Sequence, residues 1–161
     1  MDVLRSMLGR SAALLFLGFA GCILPGCGSD PIPPETKTRL EAEVIAAVDV
    51  NQDAAGRSLP IVVRIYELKA TGGFQGADFY SLYDREANAL GADLLAREEL
   101  NLGPGQRYRI ERETTPNARY LGVMGAFRAI DGAHWKATSP LTPGATNRVR
   151  IRLGPNTVSI R

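Results

Sequence analysis

Cysteine is almost missing from this sequence. Of its 161 residues only two are cysteine, Cys22 and Cys27, and none follows them. A disulfide framework, a thiolate metal site and a cysteine nucleophile are therefore excluded from the body of the chain. Histidine is scarcer still: His134 stands alone, beside the only tryptophan, Trp135. Metal spacing of the H-E-x-x-H kind cannot be built from one histidine. Ser139 has no G-x-S-x-G elbow around it. Gly72-Gly73 lacks the length and the lysine of a phosphate loop. The carboxylates are scattered, and spacing singles out no pair. The chain reads as a non-enzyme with no metal site and no bound cofactor. Charge of one sign is also lacking: 19 Lys and Arg face 17 Asp and Glu, a net of +2. Such a balance argues against a general attraction to nucleic acid.

What is present begins with a basic start, Arg5 and Arg10, followed by the uncharged run AALLFLGFA at residues 12–20. These are the first two parts of a secretory signal. The run is too short to span a bilayer, which takes about 20 apolar residues. It ends in Leu24-Pro25-Gly26-Cys27, which resembles the bacterial lipobox. The resemblance implies cleavage before Cys27 and acylation of that residue, so that the only non-protein group is a covalent lipid such as palmitate. Residues 1–26 are then a lipoprotein signal peptide. Cys22, after Phe19-Ala20-Gly21, is a competing site with a poorer residue at the Leu position. Cleavage there would leave Ile23, Leu24 and a second thiol on the mature chain, so Cys27 is favoured. Pro25 departs from the usual lipobox.

Residues 27–38 follow as a lipidated cysteine and a tether rich in Pro and polar residues, which cannot bury enough surface to fold. Gly28 rather than Asp after the cysteine leans toward the outer membrane.

From Leu40 onward the period is two. Leu40, Ala42, Val44, Ala46, Val48 and Val50 alternate with polar residues, the mark of a half-buried strand. Further strands are expected over 61–68, 99–102, 106–112, 120–129, 147–153 and 157–160. In the sixth, Val149, Ile151 and Leu153 should face inward and Arg148, Arg150 and Arg152 outward. The arginine row reads as a solvated strand face with carboxylates across from it. Seven short strands between turn residues predict an antiparallel sandwich. Residues 74–95 break the pattern. Phe79, Leu82 and Tyr83 recur at helical spacing, which predicts one or two short helices packed on the sandwich. The domain is expected to cover residues 39–161.

One connection is odd. NQDAAGRSLP, residues 51–60, joins two strong strands but is much longer than a tight hairpin. Long loops on rigid strands often carry binding. On composition alone it reads equally as a binding element or as a tolerated surface loop.

Several stretches together resemble a known family: NQDAAGRSLPIVVRIYELK, FQGADFYSLY, LGADLLAREELNLGPGQ and LGVMGAFRAIDGAHWK. In this order, after a lipobox, they are similar to the TssJ family, the outer-membrane lipoproteins of the bacterial type VI secretion system. The likeness spans about residues 40–153. It implies a mainly β, transthyretin-like sandwich with a short helical insertion between the second and third strands. It also implies a role: anchoring the secretion machine's trans-envelope membrane complex, from the outer membrane and facing the periplasm. The partner would be the periplasmic C-terminal domain of the inner-membrane subunit TssM, with no nucleic acid involved. The family's contact element is the loop between the first two strands. That makes Asn51, Gln52, Asp53, Gly56 and Arg57 the candidate partner-binding residues. Two rivals stay open. A general lipoprotein sandwich binding a small ligand or cell-wall glycan would show an apolar concave pocket. An enzyme on this scaffold would need His134 beside other titratable groups in a cleft.

Overall fold

The computed structural model describes residues 36–161. The signal peptide, both cysteines and most of the tether lie outside the described residues. The first strand, β1 (Arg39–Ala46), buries Leu40, Ala42, Val44 and Ala46 and turns Glu41 and Glu43 outward. Successive side chains on a strand point to opposite faces, so one face of β1 is core and the other is wet. The alternation would continue to Val50, but the chain turns over residues 48–51 and leaves Val48 78% exposed.

The remaining strands are β2 (Ile61–Leu68), β3 (Leu94–Leu102), β4 (Arg107–Glu113), β5 (Tyr120–Ala126), β6 (Lys136–Pro140), β7 (Thr146–Leu153) and β8 (Val158–Ile160). They form two four-stranded sheets, ordered β4-β1-β7-β8 and β3-β2-β5-β6. This is the mainly β sandwich that the sequence predicts, with several differences, among them an insertion of three short helices where one or two were expected and a fifth strand that ends at Ala126 rather than 129. β3 starts at Leu94 rather than Glu99, because Leu94 and Leu95 leave the helical segment to extend the ladder with β2. β6, sequence KATSP, was not expected, since it has no apolar alternation and forms by pairing along β5. Finally, β1 and β7 run parallel, with Arg39 opposite Thr146 and Ala46 opposite Leu153. A turn-rich pattern predicts pairing between neighbours in sequence. These two strands are far apart along the chain, and only the closed sandwich brings them together.

Between the sheets lies one core, built on Leu40, Val44, Ile61, Val63, Leu121 and Ile151 among others. A second core lies on the outer face of the β2 and β5 sheet. There Tyr66, Leu68 and Met124 meet Phe74, Leu82 and Leu90 of the insertion, which consists of α1 (Gly72–Gly76), α2 (Phe79–Asp84), α3 (Glu86–Leu90) and a 3₁₀ turn, Gly91–Asp93. β2 and β5 are thus apolar on both faces. Phe74 is fully buried and meets Tyr66 edge-on at 5.6 Å. Burying such a ring stabilises by about 1.5–3 kcal/mol. Gly122 on β5 makes the approach possible: a Cβ there would sit 2.9 Å from Leu68 and 3.2 Å from the Phe74 ring.

Lys136 then fastens α1 to β6. Its Nζ donates to the carbonyls of Phe74, Gln75 and Ala77 at 2.9, 2.7 and 2.6 Å, acceptors that the short helix leaves free at its C-terminal end. The expected packing of the aromatics onto the sandwich also holds, with Phe79 stacked on Tyr83 and edge-on to Trp135. Among the described residues, both cores and the two sheets fall in one compact unit that begins at Pro34.

Candidate functional site

The loop at residues 51–60 lies at one end of the sandwich. β1 carries the chain from Arg39 to Ala46, roughly 25 Å at about 3.3 Å per residue. The described chain therefore enters at one end and presents the loop at the other. Three further connections share the loop's end: the turn at 103–106, the segment 127–135 and the turn at 154–157. Gly105 N–H donates to the Ala47 carbonyl at 3.2 Å, and His134 N–H to that of Asn156 at 2.9 Å.

Within the loop, Asp53 organises the backbone. Its Oδ1 accepts the N–H groups of Ala55 and Arg57, both at 2.9 Å. Its Oδ2 accepts two bonds from the Arg57 guanidinium, from Nε at 2.8 Å and Nη2 at 2.7 Å. The N–H of Asp53 donates to the Arg57 carbonyl, and that of Gly56 to the Asp53 carbonyl. The backbone and side-chain bonds from Arg57 hold the Asp53 carboxyl below its usual range. Gly56 has φ +74°, a left-handed conformation that glycine adopts without strain. The result is a closed, self-satisfied turn. Asp53 faces into it, while the Arg57 side chain remains 78% exposed.

Asn51 sits at the base. It is buried, with φ +49°. Its Nδ2 donates to the Pro60 carbonyl at 2.7 Å, and its Oδ1 accepts the Arg128 N–H at 2.7 Å. Asn51 therefore shapes the loop and has little surface of its own. Gln52 makes a long contact, 3.4 Å from Nε2 to the Gly56 carbonyl. All five predicted residues fall on one loop, and their roles divide. Asn51, Asp53 and Gly56 fix the backbone, and Arg57 carries the outward charge. Two residues at the same end escaped the sequence reading. One is Val48, whose place in the alternation suggested a core residue. The other is Arg128, which is exposed and lowers the Asp53 pKa by its charge.

The other candidates fall elsewhere. His134 is exposed, and its backbone pairs with residues 156–158. The arginine row on β7 faces solvent as expected. Arg148 bonds Glu41 at 2.8 Å and Arg150 bonds Glu43 at 3.1 Å, each opposite its register partner on β1. A concavity of about 860 Å³ covers this face, lined mainly by arginines and glutamates, with Ala42, Val149 and Ser159 among them. Among the described residues no cluster of His, Cys, Asp and Glu could hold a metal ion.

The family model described as Type VI secretion lipoprotein, VasD, EvfM, TssJ (T6SS-SciN) matches residues 38–156. The crystal structure of the T6SS lipoprotein TssJ1 from Pseudomonas aeruginosa is 35% identical, with 78% of this chain and 95% of that chain covered and a TM-score of 0.75. Serratia marcescens Lip, a membrane bound component of the type VI secretion system, is 26% identical over 78% of this chain and 96% of its own, with a TM-score of 0.71. A chain in the structure of the T6SS protein TssM C-terminal domain from EAEC is 26% identical, covering 76% of this chain and 97% of its own, with a TM-score of 0.64. A comparison with curated proteins gives no match. With the family model spanning seven of the eight strands, the insertion and the loop, the chain belongs to the TssJ family of type VI secretion lipoproteins.

Proposed function

We propose that this lipoprotein anchors the trans-envelope complex of the type VI secretion system to the outer membrane. It does so by binding the periplasmic C-terminal domain of the inner-membrane subunit TssM. The observation that carries the reading is the loop at residues 51–60. It is held by Asp53 and Asn51, it exposes Arg57, and it lies at the end of β1 opposite Arg39. A preorganised loop gives up little conformational entropy on binding. The family membership supports the reading, as does the likeness to a chain in the TssM C-terminal domain structure. The rest of the proposal follows the sequence: a signal peptide at residues 1–26, lipid on Cys27, a tether to residue 38 and a domain from residue 39 that faces the periplasm.

The test is titration calorimetry of segment 36–161 against the TssM periplasmic C-terminal domain. The single variant Arg57→Ala should lose affinity and keep the fold, because the Asp53 bonds to backbone N–H groups remain. Truncating one partner of a desolvated charge pair costs about 2–5 kcal/mol, mostly as faster dissociation. The double variant Asp53→Ala, Arg57→Ala should lose binding altogether. A folded double variant with wild-type affinity would move the interface to another surface, first of all the helical insertion.

A further inference from the structure

The outer face of the β4-β1-β7-β8 sheet carries more cation than its carboxylates can absorb. Five arginines line the 860 Å³ concavity, Arg109, Arg148, Arg150, Arg152 and Arg161, with Arg107 beside them, against Glu41, Glu43 and Glu111. Glu43 is shared, taking Arg107 at 3.0 Å and Arg150 at 3.1 Å. Arg109 approaches Glu111 only to 3.8 Å. Among the described residues, neither Arg152 nor Arg161 has an acidic side-chain partner within ion-pair distance. Exposure of the paired arginines is high, 74% for Arg148 and 69% for Arg150. Such exposed pairs contribute little and exchange readily for another anion.

We infer that this face is a second membrane contact, which binds the phosphate headgroups of anionic phospholipids. Guanidinium forks match phosphate oxygens two at a time, as they match carboxylates. One observation favours lipid over an acidic protein. The face has no exposed aromatic or large apolar side chain at its centre, whereas protein interfaces usually take their affinity from such an anchor. Contact here complements the lipid anchor, since stable attachment commonly takes an acyl group plus a basic patch. The inference is independent of the loop and of TssM.

Flotation of segment 36–161 with vesicles isolates the effect from any acyl chain. Binding should appear on vesicles of phosphatidylcholine with phosphatidylglycerol, be absent on phosphatidylcholine alone, and fall as salt screens the charges. An arginine near an anionic surface contributes about five- to tenfold. The variant Arg148→Gln, Arg150→Gln, Arg152→Gln should therefore lose roughly a hundredfold in partitioning. Arg119→Gln, exposed at the other end of the domain, should lose nothing. The opposite variant, Glu41→Gln with Glu43→Gln, should bind more tightly, which distinguishes a charge effect from misfolding. Equal binding to both vesicle types, no binding to either, or no gain from removing the two glutamates would each overturn the inference. An absence of vesicle binding would leave the face to an acidic protein segment.

Discussion

Asn51 ties one loop to another: its side-chain oxygen accepts the backbone N–H of Arg128 at 2.7 Å, across the gap between the two sheets. The same side chain holds the Pro60 carbonyl, so both ends of the candidate binding loop are fixed by a single buried amide.

Replacing Asn51 by Ala should therefore cost about 1–3 kcal/mol, since two part-buried hydrogen bonds are lost. Asn51→Gly keeps the left-handed backbone free of strain and should recover only a part of that loss. Thermal melts of segment 36–161 check the cost, and calorimetry against TssM checks the coupled loss of affinity. Wild-type stability in Asn51→Ala would show that the amide does not hold the loop.

Acid should loosen the loop. The Asp53 carboxyl has a lowered pKa in the folded protein because the N–H groups and guanidinium of Arg57 favour its charged form. A depressed folded value means a contribution that is complete above the ordinary aspartate range and fades as pH falls through the folded value. At neutral pH and down to mild acid the turn should be intact. NMR titration of the Asp53 carboxyl should give a midpoint below the ordinary aspartate value, and the Ala55 and Arg57 amide shifts should move with it. A midpoint at or above the ordinary value would remove Asp53 as the organiser.

On β7 the two faces should respond very differently. Ile151 is fully buried between the sheets, and Ile151→Ala should cost about 2–5 kcal/mol. Arg150 is exposed and bonds Glu43, and Arg150→Ala should cost under about 1 kcal/mol. Chemical denaturation of both variants gives the comparison. Similar midpoints would contradict the placement of the strand.

Lipidation at Cys27 is testable by fractionation. Cys27→Ser should move the protein out of the membrane fraction, whereas Cys22→Ser should leave it there. The reverse pattern would reassign the processing site.

Much of the fold was legible because burial writes itself into alternation. Leu40, Val44, Ile151 and Leu153 announce their faces at every second residue. Lys136-Ala-Thr-Ser-Pro does not, since β6 is a half-buried edge strand whose partner, not its composition, makes it one. Leu94 and Leu95 continue the helical spacing of the insertion, and only the ladder with β2 claims them. For the loop, length and family likeness drew the eye to the segment. Nothing local told that Asn51 would use its oxygen internally, because Arg128 is far away in sequence, whereas the partners of Asp53 lie only two and four residues on. Val48 misled for a simple reason: alternation records which way a side chain would point if the strand went on, and here the chain turns.

The place of β1 has a mechanical consequence. It is a central strand, paired at seven positions with β4 and at eight with β7. A load applied between residue 36 and the loop enters and leaves through this one strand, so it runs along a backbone that is already extended and does not drive the strand past its neighbours. Forced unfolding is governed by the barrier that the load lowers, and this loading lowers it little. Pulling across residues 36 and 57 should therefore demand a larger force than pulling across residues 36 and 161, where the three pairs of β8 can unzip first. Loaded in this way, the sandwich passes tension through one covalent strand and keeps its fold.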